Sequence, residues 1–305
     1  MSNIAVHRRV GEQEISSIIG LARVIEAYDG HKALDDHAWL DLAQGGRKGI
    51  IGFIAETTPA RAIVGYLQIS VRGTSWALEL LVHPKERGPH AHVAEALLEE
   101  GIREIRRQGG GHVHMWMAKP NEFTQRVAMS VGMTQGRDLL QLRRSLPLEE
   151  DVTERDPRIR TFVVGEDEDA WLKVNNKAFD WHPEQGGWLL ETLLLREAEP
   201  WFDPQGFFLY ELEDQIAAFC WTKIHRNDDE SIGEIYVIGT DPAFGGRGLG
   251  ERLCRHALSY LTQQGCTIGM LYVDATNAPA RRLYEKLGFH IDHIDRAYVA
   301  DIPPA

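Results

Sequence analysis

Cysteine is nearly absent. The 305 residues contain three, Cys220, Cys254 and Cys266, at spacings that match neither a disulfide framework nor a zinc-binding pair. They are expected to be reduced core side chains. Long apolar runs are missing as well: no stretch approaches the roughly 20 residues of a membrane span, and no hydrophobic segment follows the opening M-S-N-I-A-V-H-R-R. The expected location is the cytoplasm, with no membrane partner. Cations are scarce in the second half, where residues 151–305 hold 15 Lys and Arg against 27 Asp and Glu, while residues 1–150 hold 18 of each. The net charge of −12 therefore sits entirely in the second half, which argues against a nucleic-acid partner and suits a cationic amine. A solvated acidic surface with no partner accounts for the same charge. With 43% hydrophobic and 26% charged residues, the chain has the composition of a soluble globular protein of about two domains.

Residues 237–250, V-I-G-T-D-P-A-F-G-G-R-G-L-G, lead from an apolar strand through Asp241-Pro242 into a glycine-rich turn that opens a helix. Glycines 245, 246, 248 and 250 permit φ > 0 and close backbone approach, so free N–H groups at the helix start can converge on an anion. Taken alone, the stretch reads equally well as a tight strand-to-helix connection. The helix over 249–261 carries Leu249, Leu253, Ala257 and Leu261 on one face. A buried strand follows over 268–273, and then N-A-P-A-R-R-L-Y-E-K-L-G-F, a helix begun by Asn277 and ended at Gly288.

This order resembles the GNAT superfamily of N-acetyltransferases over residues 233–289. The resemblance implies an α/β fold with a mixed sheet, acetyl-CoA as co-substrate and no metal. It implies that Ile238, Gly239 and Thr240 lie along the pantetheine arm. Gly245, Gly246, Arg247, Gly248, Leu249, Gly250 and Glu251 would wrap the pyrophosphate, and Asn277, Ala278, Pro279, Ala280, Arg281 and Arg282 would border the thiol end. The family's turn usually opens on Arg or Gln, where this chain has Gly245; the expectation is weaker CoA binding, carried by backbone donors.

The first half repeats the second. Pro84 matches Pro242, Asn121 matches Asn277, and Gly132-Met133 matches Gly288-Phe289, at nearly constant offset. Two tandem GNAT-like domains are expected: 1–145, degenerate; a charged linker over 146–158; and 159–305, catalytic. In the first half the turn reads R-G-P-H-A-H over 87–92, where histidines replace glycines and Pro89 removes a donor. Its counterpart of the pantetheine strand, Leu80, Leu81 and Val82, is a second, doubtful CoA site. Trp76 and Ala128 stand at the registers of Glu234 and Tyr284, so both candidate proton-transfer groups belong to the second half.

Acetyl transfer to an amine needs a proton acceptor, and the departing thiolate benefits from a donor. Glu234 is expected on the cofactor-lining strand, with Tyr236 and Ile238 on the same face by period two; the plain alternative is an exposed edge charge. Tyr284 stands where the superfamily commonly has its general acid, and otherwise reads as a core aromatic.

V-N-N-K-A-F-D-W-H-P-E-Q-G-G-W at 174–188, W-F-D-P-Q-G-F-F-L at 201–209, W-T-K-I-H at 221–225, G-E-I-Y-V-I-G at 233–239 and L-Y-V-D at 271–274 resemble the mycothiol synthase family of tandem acetyltransferases. That resemblance implies acetylation of the cysteinyl amine of cysteinyl-glucosaminyl-inositol. It also implies that Asp36, Glu184, Lys223, Glu234 and Tyr272 contact this acceptor in a groove between the domains, Asp36 replacing an expected Glu. Each has a structural alternative: a helix-start charge for Glu184, an edge cation for Lys223, strand core for Tyr272. The pairs His90/His92 and His112/His114 lack a third ligand at metal spacing, so no metal is expected. An acetyltransferase for another small amine or amino sugar, and a non-catalytic acyl-CoA sensor, remain open, as does the oligomeric state, a monomer included.

Overall fold

The computed structural model describes residues 3–9, 11, 13–34, 36–43, 50–72, 74–88, 92–148, 156–180, 185–226 and 231–305. One order of elements occurs twice. β1 (Asn3–Arg8), α1 (Gln13–Asp29), α2 (Asp36–Ala43), β2 (Ile51–Thr58), β3 (Ile63–Arg72), β4 (Ser75–Val82), α3 (His92–Arg107), β5 (Gly111–Ala118), α4 (Glu122–Ser130) and β6 (Thr134–Ser145) form the first series. The second is β7 (Ile159–Thr161), α5 (Glu168–Ala178), α6 (Leu190–Glu197), β8 (Phe207–Leu212), β9 (Gln215–Arg226), β10 (Ser231–Thr240), α7 (Leu249–Gln263), β11 (Ile268–Asp274), α8 (Ala278–Lys286) and β12 (His290–Ile302).

The matched residues do matched backbone work. Pro84 and Pro242 each start a short 3-10 turn, where a missing N–H costs nothing, and the preceding His83 and Asp241 side chains accept from Lys85 N at 3.2 Å and Ala243 N at 3.0 Å. Asn121 and Asn277 cap α4 and α8. Gly132 and Gly288 end those helices at φ 80° and 79°. Met133 N and Phe289 N then reach back to Ala128 O and Tyr284 O, closing the two helix ends alike.

The compact units do not coincide with the repeats. One unit comprises Met1–Leu139 and His293–Ala305, the other Leu140–Asp292, so the division falls inside β6 and β12. The first unit orders its strands β1-β2-β3-β4-β5-β12, with β12 antiparallel to β5 from Ile302↔Gly111 to Asp295↔Ala118. The second runs β6-β11-β10-β9-β8-β7, taking residues 140–145 of β6. Each unit thus closes with a strand from the other repeat. Both sheets are mixed, because β4–β5 and β10–β11 are parallel among antiparallel neighbours. Helices cover both faces, which is why β9 is buried along almost its whole length rather than alternating.

In the second unit, α5 and α6 pack Trp171 and Leu193 onto Phe207, Phe219 and Trp221; Phe207 stacks on Trp221 at 4.5 Å, and Trp171 meets both edge-on. The opposite face receives Leu253, Ala257 and Leu261 of α7, each side chain worth about 1.5–3 kcal/mol for the larger ones. No helix among the described residues is long and apolar enough to cross a membrane.

One half-buried acid works against this packing. Burial, and then the neighbouring Glu168 carboxylate, push Glu197 at the end of α6 up to about 7, and its Oε1 has no hydrogen-bond partner. The native state therefore holds a proton that the unfolded chain releases above pH 4.5, so stability falls as pH rises from there to about 7. Glu197→Gln is expected to raise the melting temperature at pH 8 and to leave it unchanged at pH 4; equal melting shifts at both would contradict the assignment.

Candidate active site

β10 positions the site because it changes neighbours halfway along. Its parallel pairing with β11 runs from Ile232↔Ile268 only to Ile235↔Leu271, while its antiparallel pairing with β9 continues to Thr240↔Ala218. Beyond Ile235 the two parallel strands part. The edge of β10 over 237–240 then faces a gap instead of a ladder, which suits an extended, amide-bearing arm that can take strand-like hydrogen bonds.

A bulge sits at this point. The register steps from Ile235↔Thr222 to Val237↔Trp221, leaving Tyr236 as the extra residue. Before it, the Cβ position of Gly233 faces Leu261 of α7, so Glu234 points to the α5 side. Past it, Gly239 faces Phe219 and Ala178 on the α5 side, and Ile238 pairs with Cys220 on the α7 side. The expectation of Glu234 and Ile238 on one face is therefore corrected: a one-residue bulge reverses the alternation beyond it. Tyr236 stays with Glu234, its ring 4.9 Å from Trp201 and 5.3 Å from Trp221.

Asp241 closes β10. It is buried, accepting from Ala243 N at 3.0 Å and Lys177 Nζ at 2.9 Å; burial pushes its carboxyl up, but these donors outweigh it and hold the group below its usual range. A cavity of about 460 Å³, lined by Asn176, Lys177, Asp180, Asp241 and Pro242, opens beside it. In the turn, Gly246 and Gly248 adopt φ 75° and 74°, whereas Gly245 has φ −55° and Gly250 lies within α7. Of the four glycines that permit positive φ, two adopt it, Gly246 and Gly248. Gly248 is the N-cap of α7 and supplies no capping side chain, so the first-turn N–H groups are left to a ligand or water. Gly248→Ala, which forces a side chain into the left-handed region, is expected to weaken acetyl-CoA binding about tenfold with little effect on the acceptor KM. Calorimetry checks this, and wild-type affinity would remove the turn from the site.

The side chains around the turn are already engaged. Arg247 lies 5.1 Å over the Phe244 ring and 3.6 Å from the Glu213 carboxylate. Glu251 bonds Lys286 at 2.7 Å and Arg255 at 3.1 Å, and Lys286 above all holds it below its usual range. Asn277 Oδ1 accepts from Ala280 N at 3.2 Å, and Arg281 donates to Ala275 O at 3.0 Å. Leu249 is buried, while Ala278, Pro279 and Arg282 are exposed. Contacts to a phosphate chain would fall mainly to backbone donors.

Glu234 is only 7% exposed, and its Oε2 lies 2.6 Å from His225 Nε2. An ionised carboxylate only accepts, so with Glu234 ionised Nε2 carries the proton. Lys223 is its cross-strand partner; it is 7% exposed, with Nζ 4.6 Å from the Trp201 ring and 5.7 Å from that of Tyr236. The faces of Trp201 and Tyr236 hold this cation. The edge-cation alternative for Lys223 fails, because β9 is covered on both faces. Met270 pairs with Glu234, so Tyr272, two residues on, shares that side; at 39% exposed it is no core residue. Glu234, His225, Lys223 and Tyr272 are thereby gathered on one face. His225 was not singled out from sequence: only the β9–β10 register and the short contact reveal it.

Tyr284 belongs to the opposite side of the sheet, near Cys254 of α7 and Cys220 of β9. It is 5% exposed, packs edge-on against Phe289, and burial, with the nearby Cys254 and Cys220, raises its hydroxyl well above the usual phenol range. The proton stays on at neutral pH. Both cysteines belong to the α7 side, so Tyr284 and Glu234 can address one molecule only across the gap where β10 leaves β11.

Glu184 lies outside the described residues, as do Pro89 and His90, and Asp36 opens α2 with its side chain outside them. The segment after Glu184 is anchored: Asn175 exchanges hydrogen bonds with Gln185 at 3.0 Å, and Asn176 with the Trp188 backbone at 2.9 Å.

In the first unit β4 also leaves β5 early, after Ala77↔His114. Leu81 and Val82 are core residues and Leu80 packs against the core. Arg87, at the place of Gly245, is bound bidentately to Asp29 at 2.7 and 2.9 Å. Trp76 donates to Gly110 O at 3.1 Å, and Ala128 is buried. His112 pairs with Asp301 at 2.8 Å and His114 with Ser75 at 3.3 Å; no cluster of metal ligands occurs among the described residues.

Residues 175–289 match the acetyltransferase (GNAT) family model. The chain is 42% identical to a mycothiol acetyltransferase of Acidimicrobium ferrooxidans over 95% of each chain. It is 39% identical to one of Thermomonospora curvata over 96% of this chain and 95% of that one. Among solved structures it is similar to a GCN5-related N-acetyltransferase from Sphaerobacter thermophilus, with TM-score 0.73 and 22% identity, covering 99% of this chain and 96% of the other. A tandem GNAT protein from the clavulanic acid biosynthesis pathway gives TM-score 0.72 at 11% identity, covering 99% and 100%. These two likenesses establish the fold.

Proposed function

The chain belongs to the mycothiol acetyltransferase family, and on that premise we propose that it transfers the acetyl group of acetyl-CoA to the cysteinyl amine of cysteinyl-glucosaminyl-inositol, yielding mycothiol. The observation that carries the mechanism is Glu234, a buried carboxylate held by His225 at 2.6 Å on the strand that parts from its neighbour.

Acetyl-CoA supplies an activated thioester. The 237–240 edge of β10 and the α7 N-terminus suit its pantetheine arm and pyrophosphate, in keeping with two turn glycines at positive φ and an N-cap without a side-chain acceptor. An α-amino group has pKa of about 8, so at neutral pH it arrives mostly protonated and only a modest base is needed. Glu234 takes that proton, directly or through a water. His225 fixes one carboxylate oxygen and leaves the other for the amine. As the amine attacks the thioester carbon and the C–S bond breaks, Tyr284 donates its hydroxyl proton to the departing sulfur, and the second nitrogen proton, shed as the amide forms, passes to water, from which Tyr284 is reprotonated. Lys223 and Tyr272, on Glu234's side, meet the polar acceptor, as do Asp36 and Glu184 by family position. The first unit lacks both proton-transfer groups, so turnover belongs to the second. Incubating the purified protein with acetyl-CoA and cysteinyl-glucosaminyl-inositol should give a product heavier by one acetyl group in the mass spectrum; unchanged acceptor alongside intact protein would reject this function.

A further inference from the structure

Tyr272 does not stand alone on β11. Gln141 Nε2 donates to its hydroxyl oxygen at 2.6 Å, and Gln141 Oε1 accepts from Arg143 Nε at 2.9 Å. Arg143 Nε lies in turn 3.7 Å from Asp292. Gln141 is 5% exposed. The arginine, which can only donate, settles which end of the amide is oxygen, so the NH₂ group must face Tyr272. The phenol oxygen accepts from that amide, and its proton is directed away from Gln141. Residue 141 thereby sets both the position and the polarity of the Tyr272 hydroxyl.

Gln141 comes from β6, the last strand of the first repeat, yet it belongs to the second unit. We propose that Gln141, held in orientation by Arg143, is a positioning residue for Tyr272 in the acceptor site. The first repeat then contributes to acceptor recognition through a strand it gives to the second unit. This rests on the reading of Tyr272 as an acceptor contact, and the experiment separates the two.

Steady-state kinetics and thermal melts of the full chain are measured for Tyr272→Phe, Gln141→Leu, Gln141→Glu and the double variant Tyr272→Phe/Gln141→Leu. Tyr272→Phe is expected to raise the acceptor KM about tenfold, and Gln141→Leu about fivefold, with acetyl-CoA KM unchanged. Gln141→Leu should add nothing in the Tyr272→Phe background, since the group it positions is already gone. Gln141→Glu preserves shape and gives Arg143 a charged partner, so the melting temperature should not fall. It accepts at Tyr272 instead of donating, turns the phenol proton inward, and should raise the acceptor KM at least as much as leucine does. An unchanged acceptor KM for Tyr272→Phe overturns the contact itself and this inference with it. A raised KM for Tyr272→Phe overturns the inference alone if Gln141→Leu is at wild-type KM, if its effect is undiminished in the double variant, or if Gln141→Glu behaves as wild type.

Discussion

Replacing Glu234 with glutamine is expected to lower kcat by about 10²–10⁴ while the acetyl-CoA KM stays near its original value. The substitution preserves the volume of a side chain only 7% exposed, and glutamine can still accept from His225 through its carbonyl oxygen. Only proton acceptance is lost. Steady-state kinetics at neutral pH decide the matter: a near-normal rate would remove Glu234 as the base. Raising the pH supplies more neutral amine from solution, so the deficit should narrow above the amine's pKa. A deficit constant across pH would assign Glu234 to acceptor binding or orientation.

Tyr284→Phe is expected to lower kcat by about 10²–10³ with both KM values retained, because only the hydroxyl changes and the ring keeps its contact with Phe289. Its burial beside Cys254 and Cys220 keeps the group protonated in the neutral range, as a proton donor must be. Removing a buried hydroxyl leaves the apolar packing intact, so the melting temperature should hold. An acetyl thioester of a thiol more acidic than CoA needs less protonation on leaving. With such a donor the loss in kcat should shrink, and a loss of undiminished size would rule out proton donation to sulfur.

Much of the fold was legible because certain residues dictate backbone rather than packing. Pro84 and Pro242 start a turn, Asn121 and Asn277 cap a helix, and Gly132 and Gly288 take φ near 80°. Such signals are local and survive duplication, so the repeat could be read from spacing, while its GNAT character came from family resemblance. Glu234, Lys223 and Tyr272 emerged from family resemblance, and their common face follows from register, which no single strand's sequence contains. The bulge at Tyr236 hid from the alternation for the same reason: a run of apolar residues reads the same with or without an extra one. His225 and Gln141 were invisible because each acquires meaning only from its neighbour on another strand. The strand exchange lay further out of reach still, since β6 and β12 carry patterns that say strand without saying which sheet.

That exchange constrains how the protein can be made. β12, which pairs with β5 in the first unit, follows the whole of the second unit in the chain. During synthesis the ribosome therefore releases β5 long before its partner exists, and residues 111–118 wait with one edge unpaired while well over a hundred more residues emerge. The second unit, continuous over Leu140–Asp292, can be completed in the order it is translated, but the first cannot. The nascent chain should bind chaperones through that open edge until β12 arrives, and completion of the first unit should be the later event.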